Sequence, residues 1–396
     1  MKEVAKMDYR YDEITDRSGT CSLKWDLVEN ELPMWVADMD FPAAPCIRRA
    51  VEKRAAHGVF GYSIIPDQLY DAYRNWWGKH HGLEIRNEEL AFTTGVIPAL
   101  SAAIREFTVP GEKIIIQSPV YNHFISCING NGRQVLENPL IYRDGKYEMD
   151  FGDLEQKLSD PQVTMLLLCN PQNPVGKIWS RENLSRIGSL CREHNVLVFA
   201  DEIHCDLTAP GVSYVPFPSV DEACRMNCIT ALAPTKAFNI AGLSTAAVFI
   251  PEENLRRRMV QALRTVEIAE PNAFAVDATV AAFSDEGWEW LTALREYIDG
   301  NKKTVYAFLK KELPDVYALP QDATYLMWLD ISRYTDDSGE LQRFLRKNAG
   351  LFVMPGREYA GNGNLFLRLN TACPRSMLED GLNRLKTGLD QWRSRG

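Results

Sequence analysis

A chain of 396 residues, 45% of them hydrophobic, is long enough for about two or three domains and can bury a sizeable core. Its 44 Lys plus Arg against 53 Asp plus Glu leave a formal net charge of −9, which argues against a general nucleic-acid or acidic-membrane footprint and favours a small-molecule partner. The 9 cysteines include no CxxC pair, so reduced thiols suit the chain better than a disulfide framework, and no metal site is expected.

The opening Met1-Lys2-Glu3-Val4-Ala5-Lys6-Met7-Asp8 has no apolar run after its charges. No later stretch offers about 18 uninterrupted apolar residues, so a cytoplasmic protein without a membrane span is expected. Residues 1–45, rich in Asp, Pro and aromatics, read as an arm that packs on a second domain or on a partner subunit. Residues 46–284 then alternate short apolar runs with amphipathic segments. The runs Ile114–Ile116, Met165–Cys169, Val196–Ala200, Cys228–Leu232 and Ala246–Ile250 predict core strands. Between two of them, Leu184, Ile187 and Leu190 recur at helical spacing within 181–194. Strand, helix, strand is the pattern of an α/β fold with a mostly parallel sheet covered on both faces. From about 285 the texture changes: Trp288, Leu291, Leu294, Tyr297 and Ile298 predict a helix ahead of isolated strands such as Tyr325–Leu329. Residues 285–396 therefore read as a smaller α+β domain.

Four places in this order carry possible chemistry. Phe92-Thr93-Thr94-Gly95-Val96 ends a strand and opens a helix, whose free N–H groups seat a phosphate or simply take an ordinary cap. Asn170-Pro171-Gln172-Asn173-Pro174-Val175-Gly176 follows a buried strand at the edge where open α/β sheets place ligands; turn chemistry and a ligand-binding amide both account for it. Asp201, at the end of the apolar Val198-Phe199-Ala200, is a helix cap, half of a salt bridge, or the partner of a protonated ring nitrogen, and His204 three residues on has a core role as its plain alternative. Lys236 follows the Cys228–Leu232 strand and so reaches the same carboxyl edge as Asn173 and Asp201. A phosphate seat, an amide, a carboxylate and a lysine at successive strand ends suit pyridoxal 5'-phosphate.

The order TTG, PVYNHF, NPQNPVGK, ADEIH, TKAFN and FLRLN resembles fold-type I pyridoxal-phosphate enzymes of the class I/II aminotransferase superfamily, over nearly the whole chain. Within that superfamily, Trp35–Phe41, Asp201–His204, Lys236–Leu243 and Arg368–Arg375 look like the MalY/PatB branch of cystathionine β-lyase-like C–S lyases. The resemblance implies an aspartate aminotransferase-like large domain with a mostly parallel seven-stranded sheet. It implies that Lys236 holds the cofactor covalently and moves the substrate's Cα proton, that Asp201 pairs with the pyridine nitrogen, that Asn173 donates to the ring's phenolic oxygen and that Tyr121 lies over the ring. Gly95, Val96 and the Thr235 hydroxyl would take the phosphate. Tyr62 resembles a tyrosine reaching in from a neighbouring subunit, which implies a homodimer. Arg368 would clamp the substrate carboxylate, with Asn173 and the backbone of Val36 and Ala37.

Two positions depart from the commoner aminotransferase pattern. His204 stands where many relatives carry a tyrosine, and Ser244 where many carry a phosphate-binding arginine, so the phosphate cup is one cation short. The activity implied is β-elimination from cystathionine or a cysteine S-conjugate, yielding a thiol, pyruvate and ammonia. The arm near Trp35 and Asp38, and the segment Met354–Tyr359, are candidates for the leaving-group pocket. An aminotransferase built on the same constellation, and a regulatory protein that keeps the fold, are the other two readings.

Overall fold

The computed structural model describes residues 9–395; the charged opening Met1–Asp8 lies outside them. Seven strands form the main sheet, in the spatial order Leu90–Thr93, Ala246–Phe249, Cys228–Leu232, Leu197–Asp201, Val163–Cys169, Lys113–Ile116 and Gln134–Glu137. The four central runs read from the sequence are strands there, buried on both faces because helices cover each side. Neighbours from Cys228–Leu232 to Gln134–Glu137 run parallel, whereas Ala246–Phe249 is antiparallel to both of its partners. That reversal matters for the site. It brings the residues preceding Ala246 to the edge where the other strands end.

Helices complete the layers. The Arg181–Glu193 helix starts on Ser180, whose hydroxyl accepts from Asn183 N, and buries Leu184 and Ile187 against the sheet. The Val96–Phe107 helix starts at Gly95 without a side-chain cap and packs Ala99, Leu100 and Ala103 inward. Asp285–Glu312 forms a 28-residue helix, capped by Ser284, that buries Trp290, Leu291, Leu294 and Ile298.

A second, antiparallel sheet of four strands follows, in the order Tyr317–Ala318, Leu326–Asp330, Phe366–Asn370 and Met354–Pro355. The early chain is fastened to this part. Leu32–Pro33 pairs in parallel with Leu351–Phe352, Met34 N donates to Phe352 O, and Asn370 N donates to Met34 O. Behind it, Lys24 and Asp40 form a buried ion pair at 2.6 Å, to which Arg17 and Trp25 also donate. Among the described residues no helix is long and apolar enough to cross a membrane.

Candidate active site

Parallel strands deliver the residues that follow them to one edge, and ladder register decides which residues meet. Cys169 is paired with Asp201 and Asp201 with Ala231, so the three strands end level. Asn173 lies four residues past Cys169, the end of the first, and Lys236 four past Leu232, the last residue of the third. Beyond the strands, Asn170 N donates to Asp201 O and Glu202 N to Ala231 O, which keeps the turns in register. A cavity of about 220 Å³ opens at this edge. Gly95, Val96, Tyr121, Asn173, Asp201, His204, Thr235, Lys236 and Ala37 all line it.

Lys236 Nζ donates to Ala37 O at 2.9 Å. Burial, with the positive charge of Arg368, brings its amine down from 10.5 to about 8; Asp38 and Asp201 act in the opposite direction. Asp201 is buried, and burial raises its carboxyl to about 6 although Ile203 N donates to Oδ1 at 3.1 Å. A cation inside the cavity would hold it ionised. His204 is buried too, driven down to about 3 by desolvation and then by Lys236 and Arg368, so it is a neutral imidazole, with Nδ1 unpartnered. Among the described residues, Asp201 caps no helix and makes no salt bridge; Ile203 N is its hydrogen-bond partner.

Arg368, in the middle of the Phe366–Asn370 strand, approaches from the second sheet. Its two terminal nitrogens donate to Asn173 Oδ1 at 3.2 Å and Trp35 O at 2.8 Å, while Nε is buried and unpartnered. The guanidinium lies 5.0 Å from the centre of the Tyr359 ring. At the opposite wall, the Val96–Phe107 helix begins with N–H groups that lack intrahelical acceptors, and Gly95 offers no side chain to cap them. Thr235 also lines the cavity. Lys236 is the single basic side chain, histidine aside, among the cavity-lining residues; Ser244 and Thr245, carried in by the reversed strand, stand beside it as hydroxyls.

Val36 stands behind the cavity, its carbonyl accepting from Asn370 Nδ2 at 2.7 Å. Tyr62 is not among the lining residues and is 100% exposed. Sequence reasoning passed over three contributors. Tyr325 donates to Ala37 O at 2.9 Å, sharing that acceptor with Lys236. Asn239, at a left-handed φ of 55° that asparagine tolerates, binds Met39 N, Met39 O and Phe41 O and so fastens the early chain over the lysine turn. Thr245 was hidden because strand direction is invisible in an apolar run.

The residues fit a pyridoxal-phosphate-type ligand on these observations: an uncapped helix start for an anion, a buried carboxylate with no cationic partner in bonding contact, an amine of depressed basicity, and an unused buried donor on Arg368. Such a fold and site define a class. Residues 30–385 match the family described as aminotransferase class I and II, and the chain belongs to that family. It is 44% identical to cystathionine beta-lyase PatB of Bacillus subtilis over 96% of this chain and 99% of that protein. Protein MalY of Escherichia coli is 34% identical, over 94% and 97%. Among solved structures, the pyridoxal-phosphate-bound C–S lyase of Staphylococcus hominis superposes with a TM-score of 0.91 at 32% identity, over 97% of this chain and 98% of that one.

Proposed function

We propose that this protein is a pyridoxal-phosphate-dependent carbon–sulfur lyase, which cleaves cystathionine or cysteine S-conjugates by β-elimination to a thiol, pyruvate and ammonia. The observation that carries the reading is the convergence of Lys236, Asp201, Asn173 and Arg368 at one sheet edge, in a chain with 44% identity to a cystathionine beta-lyase. When bound, the cofactor supplies an electron sink for the charge left at the substrate's Cα.

The protein's residues do the rest. Gly95, Val96 and Thr235 would take the phosphate through N–H and hydroxyl groups, in a cavity whose lining carries, histidine aside, Lys236 as its basic side chain. Asp201 would hold a proton on the ring nitrogen, Asn173 would donate to the phenolic oxygen, Tyr121 would cover the ring and the neutral His204 would stand beside it. Lys236, lining the cavity, would hold the cofactor covalently, and its Nζ would be the base that takes the Cα proton. An amine near 8 is part neutral at physiological pH, which a base must be. Arg368, whose Nε is the unpartnered donor, would hold the substrate carboxylate, assisted by Asn173 and the backbone at Val36 and Ala37. That fixes which Cα bond faces Lys236. Trp35 and Tyr359, which meet Arg368, and Asp38 are the candidates for the leaving-group side.

The same reading takes residues 1–45 as an arm, 46–284 as the cofactor-binding domain and 285–396 as the small domain, in a cytoplasmic homodimer. Exposed Val59, Phe60, Tyr62 and Ile64 support a second subunit covering this segment, with Tyr62 reaching the partner's phosphate. Incubation with cystathionine tests the activity: pyruvate and free thiol should appear in equal amounts. Amino transfer to an added 2-oxo acid without pyruvate would place the chain with the aminotransferases instead.

A further inference from the structure

We propose that His81, Cys205 and Asp206 form a binding site for one divalent transition-metal ion of the zinc class, separate from the lysine cavity. His81 is the last residue of the Asp67–His81 helix, and Cys205 and Asp206 belong to the turn that follows Asp201 and His204. A ligand atom from each of the three lies within 4.8 Å of the others, and His81 Nε2 is 2.8 Å from Asp206 Oδ1. All three are shielded: the His81 and Asp206 side chains are 6% and 1% exposed, and Cys205 is 1% exposed.

The carboxylate is what points to a cation. Asp206 Oδ1 accepts from Trp76 Nε1 at 2.9 Å and meets His81, but Oδ2 is buried without any partner. An orphaned buried acceptor costs about 1–3 kcal/mol, and coordination removes that cost. Nitrogen, sulfur and oxygen together select a zinc-like ion, because calcium and magnesium take oxygen alone. Charge balances as well. Cys205 loses its S–H proton to solvent on binding, His81 ligates as a neutral imidazole, and thiolate plus carboxylate offset the two positive charges. Trp76 keeps its hydrogen bond to the carboxylate, orienting it from outside the ligand shell.

In front of the cluster lies a cavity of about 290 Å³ that Tyr214 and Arg295 also line, so a fourth coordination position remains open to water or a small ligand. Occupancy ties the end of the Asp67–His81 helix to the turn that carries Asp201 and His204. That turn is otherwise closed by Cys205 N to Glu202 O and Leu207 N to His204 O, each 3.0 Å. The ion therefore braces the floor of the lysine cavity from outside.

The test uses the full-length, cofactor-loaded protein, stripped with a chelator and titrated with Co²⁺. One Co²⁺ per chain should bind with a thiolate-to-cobalt charge-transfer band, be displaced by Zn²⁺, and raise the thermal midpoint. Cys205→Ser should abolish the band, and His81→Gln should weaken binding by about 10-fold or more. Circular dichroism and cofactor absorbance report whether each variant is folded. Absence of the band in the wild type overturns the proposal, as does a band that survives Cys205→Ser. Should that variant fail to fold, unchanged Co²⁺ affinity in His81→Gln overturns it equally.

Discussion

Lys236 Nζ donates to the carbonyl of Ala37, 199 residues earlier in the chain, at 2.9 Å. The bond joins the strand-end lysine to the early segment that Asn239 fastens and that Arg368 touches through Trp35 O. An amine so held is enclosed and points into the cavity, and its basicity falls for that reason.

Capture of the cofactor by the stripped protein should therefore follow the neutral form of Lys236. Because its pKa is brought down to about 8, the neutral fraction grows about 10-fold per pH unit below that value and levels off above it. The rate of covalent attachment, followed by the absorbance of the bound cofactor, should rise with pH and flatten near 8. A rise continuing toward 10.5, the amine's ordinary value, would contradict the burial argument.

Arg368→Lys keeps a positive charge and loses the planar fork that reaches Asn173 and Trp35 O at once and leaves Nε free. The expected result is a fall in kcat/KM of about 10- to 100-fold, or about 1.4–2.7 kcal/mol, mostly through KM. Steady-state kinetics on cystathionine decides. Unaltered kcat/KM would remove Arg368 from substrate binding.

Glu202, next to Asp201 in sequence, gives a stability prediction. Burial raises its carboxyl from 4.5 to about 8, with Phe217 N donating to Oε1 and Oε2 left without a partner. The folded state thus binds this proton more tightly than the unfolded chain does. Its stabilisation is complete below about 4.5 and is lost progressively as pH rises through about 8. Thermal midpoints of the wild type should fall between pH 6 and pH 9 by more than those of Glu202→Gln, by a few degrees in order of magnitude. Parallel curves for the two proteins would contradict it.

Much of the fold was legible because buried parallel strands are written as short continuous apolar runs, as at Met165–Cys169 and Val196–Ala200. Strand ends then gave Asn173, Asp201 and Lys236. Direction was not legible: the composition of Ala246–Phe249 is the same whichever way it runs, so Thr245 stayed hidden. Tyr325 looked like part of a strand, and only tertiary folding brings its hydroxyl to Ala37 O. The Lys24–Asp40 pair was similarly invisible, since a buried ion pair leaves no periodic trace. Gly95 reads as cap or anion seat in the sequence; the structure shows a helix start with no side-chain cap that lines the cavity.

Reduction of the cofactor-loaded protein with borohydride, followed by peptide mapping, tests the assignment of the site most directly. The account predicts the reduced cofactor on the peptide containing Lys236, and the loss of both that label and pyruvate formation in Lys236→Ala. A label on another lysine, or one retained by the variant, would contradict it.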